Sequence, residues 1–492
     1  MHKKLGAWIF VGVIGVINLA LAGAPDTLWT RTYGGTDNDW GNSVLETQDG
    51  GIVVSGWTAS FGVGSQNFYL IKTNSSGDTL WTRTYGGHLL NNGYCVSETQ
   101  DSGFVIVGET FSFGAGAPSY SNAYLVRTNS LGDTLWTRTY GGTKGECGWS
   151  VSKTYDGGFI ITGETTSFGA GSPNYSNVYL VKTNSSGDAL WTKTFGGATG
   201  NSGWSVSETQ DSGFIIVGTT NSFGIGSPNY SNVYLVRTNS SGDTLWTRAF
   251  GGTDNDGCYS VSETQDNGFI MVGTTSSFGA GGHDVYLIKT NSSGDTLCTR
   301  TYGGAKDDWG ESVSETQDSG FIIAAKTVSF GAGHFDVYLI RTNSSGDTLW
   351  TKTIGGAESE WGCSVSETRD RGFIVAGATY GDDYEDVYLI RLKPETGIEE
   401  NSNIKNQKLN MEIFKNPFIE NTTINYSLTL KSKVSLSICD ISGRTVKTLL
   451  NEQKPASSYS INLNAKELKT GIYFLTLNAN GARTNKKLTI IK

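Results

Sequence analysis

Three tyrosines, Tyr120, Tyr175 and Tyr230, sit in the same short phrase of the chain, Pro-Ser/Asn-Tyr-Ser-Asn, at residues 118–122, 173–177 and 228–232. Aromatic faces with amides beside them are what sugar rings need: C–H surface to stack on and hydroxyls to hydrogen-bond. The plainer alternative is that each ring packs its own loop. A second aromatic set precedes a recurring Val. Trp40, Trp309 and Trp361 stand four residues before it, and Tyr94, Trp149, Trp204 and Tyr259 two residues before it. On a strand these positions share parity, so all seven rings are expected at one opening, as a plug or as a binding floor. A third set carries charge. The residue two places before a recurring Tyr is Asn67, Asn122, Asn177 and Asn232, then Asp284, Asp336 and Asp386, with His283 and His334 close by. Two imidazoles and three carboxylates have the chemistry to hold a metal ion; a solvated acidic rim is the competing expectation. Asp37-Asn38-Asp39 and Asp254-Asn255-Asp256-Gly257 lack the closing Glu of a calcium loop. None of the three His outside the N-terminal leader sits in a nucleophile or zinc-helix motif, so no catalytic residue is assigned.

These residues are positioned by a repeat. Its D-T-L-W phrase falls at Trp29, Trp81, Trp136, Trp191, Trp246, Cys298 and Trp350, at intervals of 52 or 55 residues. A period of that length built from short strands means a radial or stacked array. Each unit has four strand-like runs, such as Leu28–Tyr33, Ser205–Thr209, Phe214–Val217 and Val233–Arg237. Asp-x-Gly joins two of them in every unit, the pattern of a type I turn followed by a left-handed bulge residue. Asn-Ser-Ser-Gly-Asp, as at 239–243, makes the other tight hairpin. In an antiparallel meander alternate connections emerge on alternate faces, so the two tight turns share one uniform face. The Tyr-Gly-Gly and Ser-Phe-Gly-Ala-Gly loops share the other, where nearly all variation lies and where function is expected. The recurring Trp is expected to pack between neighbouring units. The Glu of Ser-Glu-Thr (Glu46, Glu98, Glu208, Glu263, Glu315, Glu367, with Lys153 in the seventh unit) is expected to pair with the recurring Lys/Arg of the Tyr-Leu strand, a cation-binding ring being the alternative.

The hairpin Y-L-I-R-T-N-S-S-G-D-T-L-W resembles the outer hairpin of pyrroloquinoline-quinone-type propeller repeats. The resemblance implies that the Leu-Trp run is outermost and Ser-Val-Ser-Glu innermost, so that strand 26–33 completes the last blade of a seven-bladed ring spanning 25–393. A solenoid of the same period would need atypical capping repeats, and the end repeats are ordinary.

Lys3 and Lys4, an apolar run from Leu5 to Ile17 and Ala20-Leu21-Ala22 read as a signal peptide over residues 1–22. No membrane insertion is expected after its removal. Residues 401–492 carry 14 basic and 5 acidic residues, while 1–400 carry 23 and 41. Nets of +9 and −18 argue against nucleic acid as a partner of the repeats. The six cysteines occupy unlike positions and suggest no disulfide framework, a single chance bridge such as Cys95 with Cys147 remaining open. No cofactor is expected.

Residues 394–410 shift to Glu, Asn and Lys and read as a linker. The short alternating strands of 411–492 suggest a small β-sandwich. Asn416-Pro417-Phe418, the stretch Val434–Val446 with Gly443 and Arg444, Gly471-Ile472-Tyr473-Phe474 and a terminal run ending at Lys492 resemble the type A C-terminal sorting domain of the type IX secretion system. That resemblance implies export across both membranes, handling by the type IX machinery, and release to the medium or display on the outer cell surface. The whole is therefore expected to be an all-β secreted or surface protein that binds a glycan or surface polymer without catalysis. An extracellular hydrolase or lyase using acids of the variable face, or a structural surface protein, are the alternatives.

Overall fold

The computed structural model describes residues 23–381, 383–395, 410–428, 432–439, 445–479 and 482–491. The signal peptide (1–22), most of the linker, Gly443, Arg444 and Lys492 lie outside them. The described chain forms two compact units that divide between Glu395 and Thr396.

The first unit is a seven-bladed β-propeller. Six blades are four-stranded antiparallel meanders: blade 1 spans Asp39–Tyr85, blade 2 Asn91–Tyr140, blade 3 Glu146–Phe195, blade 4 Asn201–Phe250, blade 5 Asp256–Tyr302 and blade 6 Asp308–Ile354. Blade 7 takes three strands from Glu360–Leu392 and its outer strand from Thr27–Tyr33, which pairs antiparallel with Glu385–Leu392. The ring is thus closed by its own first strand.

Each blade's second and third strands are covered on both faces, which is why they are continuous apolar runs. Phe-Val-Ile-Val of Phe104–Thr110 and the whole of Asn122–Thr128 are buried apart from Glu109. The outer Trp packs between blades as expected. Trp81 lies 6.0 Å from Phe104 of the next blade, Trp191 5.8 Å from Phe214 and Trp350 5.9 Å from Phe373. Where Cys298 replaces Trp, the Lys289 ammonium sits instead 5.6 Å from the Phe321 ring. Cys298→Trp is expected to stabilise the chain by about 1–2 kcal/mol by filling that space, seen as a raised urea midpoint at unchanged m. An unchanged midpoint would mean that Lys289 already fills the gap.

The innermost strands are linked around the ring. The Ser before each recurring Val accepts the backbone N–H of the Val one blade on: Ser43 from Val96 (3.4 Å), Ser205 from Val261 (3.3 Å) and Ser364 from Val44 (3.2 Å), the last bridging blades 7 and 1. Cys95 stands where a Ser would and donates to the Val151 carbonyl. Five cysteines (95, 147, 258, 298 and 363) are free thiols.

The Asp-x-Gly turn carries the expected left-handed residue, though not at the recurring Gly. The left-handed residue is the middle one, Ser102, Ser212, Asn267, Ser319 or Arg371, with φ between 59° and 65° in each of these five. The Gly that follows is required by crowding: a Cβ on Gly213 would lie 2.3 Å from the Thr238 carbonyl oxygen.

In the second unit, strands Asn410–Ile413, Asn421–Leu428 and Ser457–Asn464 form one sheet, and Thr445–Lys454, Ser432–Cys439, Gly471–Ala479 and Ala482–Ile490 another. Ile424, Tyr426, Leu436, Leu477 and Leu488 share one buried core. The Asn-Pro-Phe motif ties this core to the last strand. Asn416 accepts the Thr489 N–H at 2.7 Å, and Phe418, 3% exposed, exchanges backbone bonds with Thr489 and Ile491. The Tyr473 hydroxyl donates to the Lys469 carbonyl, and Gly471 opens the Gly471–Ala479 strand. Among the described residues no helix is long and apolar enough to cross a membrane.

Candidate functional site

The strand order puts the Tyr-Gly-Gly and Ser-Phe-Gly loops on one face of the ring and the tight turns on the other. On the loop face, blades 2, 3 and 4 carry loops of one construction. The peptide before Pro118, Pro173 and Pro228 is cis, and the tyrosine N–H donates back to a Gly carbonyl, Tyr120 to Gly116, Tyr175 to Gly171 and Tyr230 to Gly226. Backbone closes the loop, and the rings stay open at 42%, 51% and 41% exposure. The Lys144 ammonium lies 4.9 Å from the Tyr120 ring.

Each innermost strand bulges beside its inner aromatic. The register slips between Gly93 and Cys95, between Gly148 and Ser150, and between Gly203 and Ser205, leaving Tyr94, Trp149 and Trp204 as the unpaired residues. Trp40, Trp309 and Trp361 lie before the bulge and pair across to Trp57, Lys326 and Ala378. The rings stand in two arcs. Tyr94–Trp149–Trp204–Tyr259 runs at centroid spacings of 4.3, 4.5 and 5.5 Å. Trp309–Phe335–Trp361–Trp40 runs at 5.5, 6.0 and 4.9 Å. The first arc occupies the blades that carry the three exposed tyrosines, together with blade 5.

Polar groups missed by the sequence reading stand among these rings. Glu109 accepts from the Tyr94 hydroxyl at 2.9 Å, Glu164 from the Ser202 hydroxyl at 2.5 Å, and Glu311 pairs with Lys326 at 3.0 Å. Burial pushes the Glu311 carboxyl up, against the pull of Lys326. Lys326 also lies 5.3 Å from the Trp309 ring. The signal was present: the residue before the last Thr of the second strand is Trp57, Glu109, Glu164, Thr219, Thr274, Lys326 and Ala378, one variable position in an otherwise uniform strand.

The five metal candidates do not come together. Among the described residues no group of three or more His, Cys, Asp or Glu is placed to hold an ion. His334 is exposed, and His283 contacts the Ser276 hydroxyl at 2.8 Å. Nor do the aspartates form a solvated rim. Asp284 and Asp336 are each 2% exposed, and each meets an acid of the next blade. A Cβ on Gly303 would fall 2.3 Å from Asp284 Oδ1 and 2.6 Å from Asp308 Oδ2. Gly355 lies likewise between Asp336 and Glu360, and Gly34 between Asp386 and Asp39. Burial and then the Glu360 charge raise the Asp336 carboxyl; burial and then Asp39 raise that of Asp386. At the blade 2–3 junction Asn122 instead donates its amide to Glu146 at 3.2 Å.

On the turn face the recurring Glu does not pair with the Tyr-Leu-strand cation. That cation binds the Asp of its own Asp-x-Gly turn, as in Lys72–Asp49 (3.0 Å) and Arg237–Asp211 (2.5 Å). Although burial works against it, hydrogen bonds from Thr47, Gly51 and Lys72 with the Lys72 charge hold Asp49 at about 2. The Glu accepts a backbone N–H of the preceding blade: Glu98 from Gln48 (2.9 Å), Glu208 from Tyr155 (2.6 Å), Glu263 from Gln210 (3.0 Å), Glu315 from Gln265 (2.9 Å), Glu367 from Gln317 (2.8 Å) and Glu46 from Arg369 (2.8 Å).

Residues 412–492 match the family described as secretion system C-terminal sorting domain. No curated protein matches the sequence. Among solved structures the chain is similar to puromycin hydrolase, at 13% identity and a TM-score of 0.43, covering 79% of this chain and 59% of that one. It is similar to Sqt1 from Chaetomium thermophilum at 10% identity and a TM-score of 0.41, covering 95% and 99%. The polysaccharide lyase Uly1 is alike at 10% identity and a TM-score of 0.41, covering 73% and 91%. At these scores none of the three assigns this chain an activity. The sorting domain does assign a route: the protein is exported by type IX secretion to the cell surface or extracellular space.

Proposed function

We propose that the propeller is a binding module whose loop face engages a glycan or surface polymer along blades 2 to 4. The observation that carries this is the set of three loops on adjacent blades that share a cis-Pro and a Tyr-to-Gly backbone bond, each leaving its tyrosine about half exposed. A loop whose backbone satisfies itself has no structural need of an open aromatic, and an open ring beside amides suits C–H stacking with hydroxyl contacts. Trp149 and Trp204 extend the surface inward on the same blades, and Trp40, Trp309 and Trp361 line the opposite arc. The sorting domain delivers this face to where surface polymers are met.

Replacing Tyr120, Tyr175 and Tyr230 together by Ala is expected to weaken binding on a polysaccharide panel about 100-fold, at roughly 1 kcal/mol for each stacked ring. Equal binding by parent and variant would remove the arc from the site. A second reading rests on Glu311, an acid made more basic by burial and set beside Lys326 among aromatic rings. A hydrolase or lyase using it would release product from a bound polysaccharide and stop doing so as Glu311→Gln. Binding without product in the parent rejects that reading, and absence of any binding favours a structural role.

A further inference from the structure

The carboxylate belt of the turn face is broken once. Six of the seven blade junctions bind a backbone N–H with a Glu of the next blade, and at the blade 2–3 junction that Glu is Lys153. The Gln100 N–H, which stands where Gln48, Gln210 and their counterparts donate, meets no acceptor among the described residues. Lys153 is exposed and makes no ion pair among the described residues. A cavity of about 250 Å³ opens here, lined by Thr99, Gln100, Asp101, Arg127, Lys153 and Phe159 among others. Arg127 already holds Asp101 through both carboxylate oxygens, at 2.6 and 2.7 Å. The matching cavity between blades 4 and 5, about 270 Å³, contains its own Glu263. The backbone frame is therefore the same, but a built-in anion has been exchanged for a cation and the N–H left open.

We propose that the groove between blades 2 and 3 is a binding site for a carboxylate, carried by a uronic acid. The ligand carboxylate takes the place of the absent Glu, accepting from the Gln100 N–H and pairing with the Lys153 ammonium, a charge-assisted arrangement stronger than a neutral hydrogen bond. The cavity is of the size of one sugar ring, with the Gln100 side-chain amide and the Ser185 hydroxyl at its lining for the ring hydroxyls. This site lies on the face opposite the tyrosine arc and does not depend on it.

The test uses the full chain and glucuronate, with glucose and acetate as controls. Calorimetry should show glucuronate binding that is at least tenfold weaker in Lys153→Glu, which restores the belt's own carboxylate, and similarly weakened in Lys153→Ala. Glucose should not compete, and acetate should bind at least tenfold less tightly than glucuronate. Glucuronate should also slow amide hydrogen exchange over residues 99–101. These effects should persist when Tyr120, Tyr175 and Tyr230 are all Ala. The proposal is overturned if Lys153→Glu binds glucuronate as the parent does, if exchange at 99–101 is unaffected, or if glucose binds as well as glucuronate. Acetate binding as tightly as glucuronate would overturn the recognition of a sugar ring.

Discussion

Deleting residues 25–33 is expected to cost more than 5 kcal/mol and to end the propeller's unfolding as a single unit. The strand Thr27–Tyr33 is the fourth strand of blade 7, paired with Glu385–Leu392 from Thr27↔Leu392 to Tyr33↔Val387. It also reaches forward into blade 1, where the Tyr33 hydroxyl donates to the Gly77 carbonyl at 2.6 Å. Without it, blade 7 presents a bare edge, and an unpaired edge invites aggregation. A loss of that size is comparable to the lower end of the about 5–15 kcal/mol by which domains are stable. Calorimetry and light scattering would report a broadened, lowered transition and concentration-dependent association. The same strand placed after Leu392 through an Asn-Ser-Ser-Gly-Asp turn should restore the parent transition, because that turn connects the third and fourth strands in five of the other six blades, with Leu131 replacing one Ser in blade 2. A truncated chain melting where the parent melts would show that closure is not what holds the ring together.

Changing Asp284, Asp336 and Asp386 together to Asn should stabilise the chain at neutral pH by about 1–2 kcal/mol per junction. Each aspartate crowds an acid of the next blade, whereas the Asn at the same position in blade 2 donates a hydrogen bond to that acid. The sign follows from the direction of the shifts. Asp336 and Asp386 titrate above their ordinary value, so the native state binds the proton more tightly than the unfolded chain does. Stability therefore falls as pH rises from about 3.9 through the raised native values. The variant should melt higher than the parent at pH 8 and converge on it near pH 4. A lower melting temperature at pH 8 would mean that the carboxylates neutralise something amides cannot, a bound cation foremost.

Much of this molecule is legible along the chain. The 52–55-residue period, the four strand runs and the two tight turns are local patterns, and they suffice for seven blades and for the face on which variation collects. The Trp position declares itself as core because its neighbours alternate. The sorting domain is carried by short blocks in order, and Asn416 and Phe418 prove to be the residues that tie its last strand down. The three tyrosines were visible because their loops are longer than the others.

What tertiary structure alone decided concerns partners that are distant in sequence or invisible in it. A β-bulge is a matter of pairing, and it leaves four of the seven rings at unpaired positions and three on the paired strand before it. Backbone amides have no letter in a sequence. The recurring Glu therefore reads as the partner of a side-chain cation, whereas it accepts the N–H of a turn some 50 residues earlier. The aspartates looked like a rim because only their own loops could be read. Blade packing brings each against an acid of the next blade, and for Asp336 and Asp386 burial first and that neighbouring charge second raise the carboxyl.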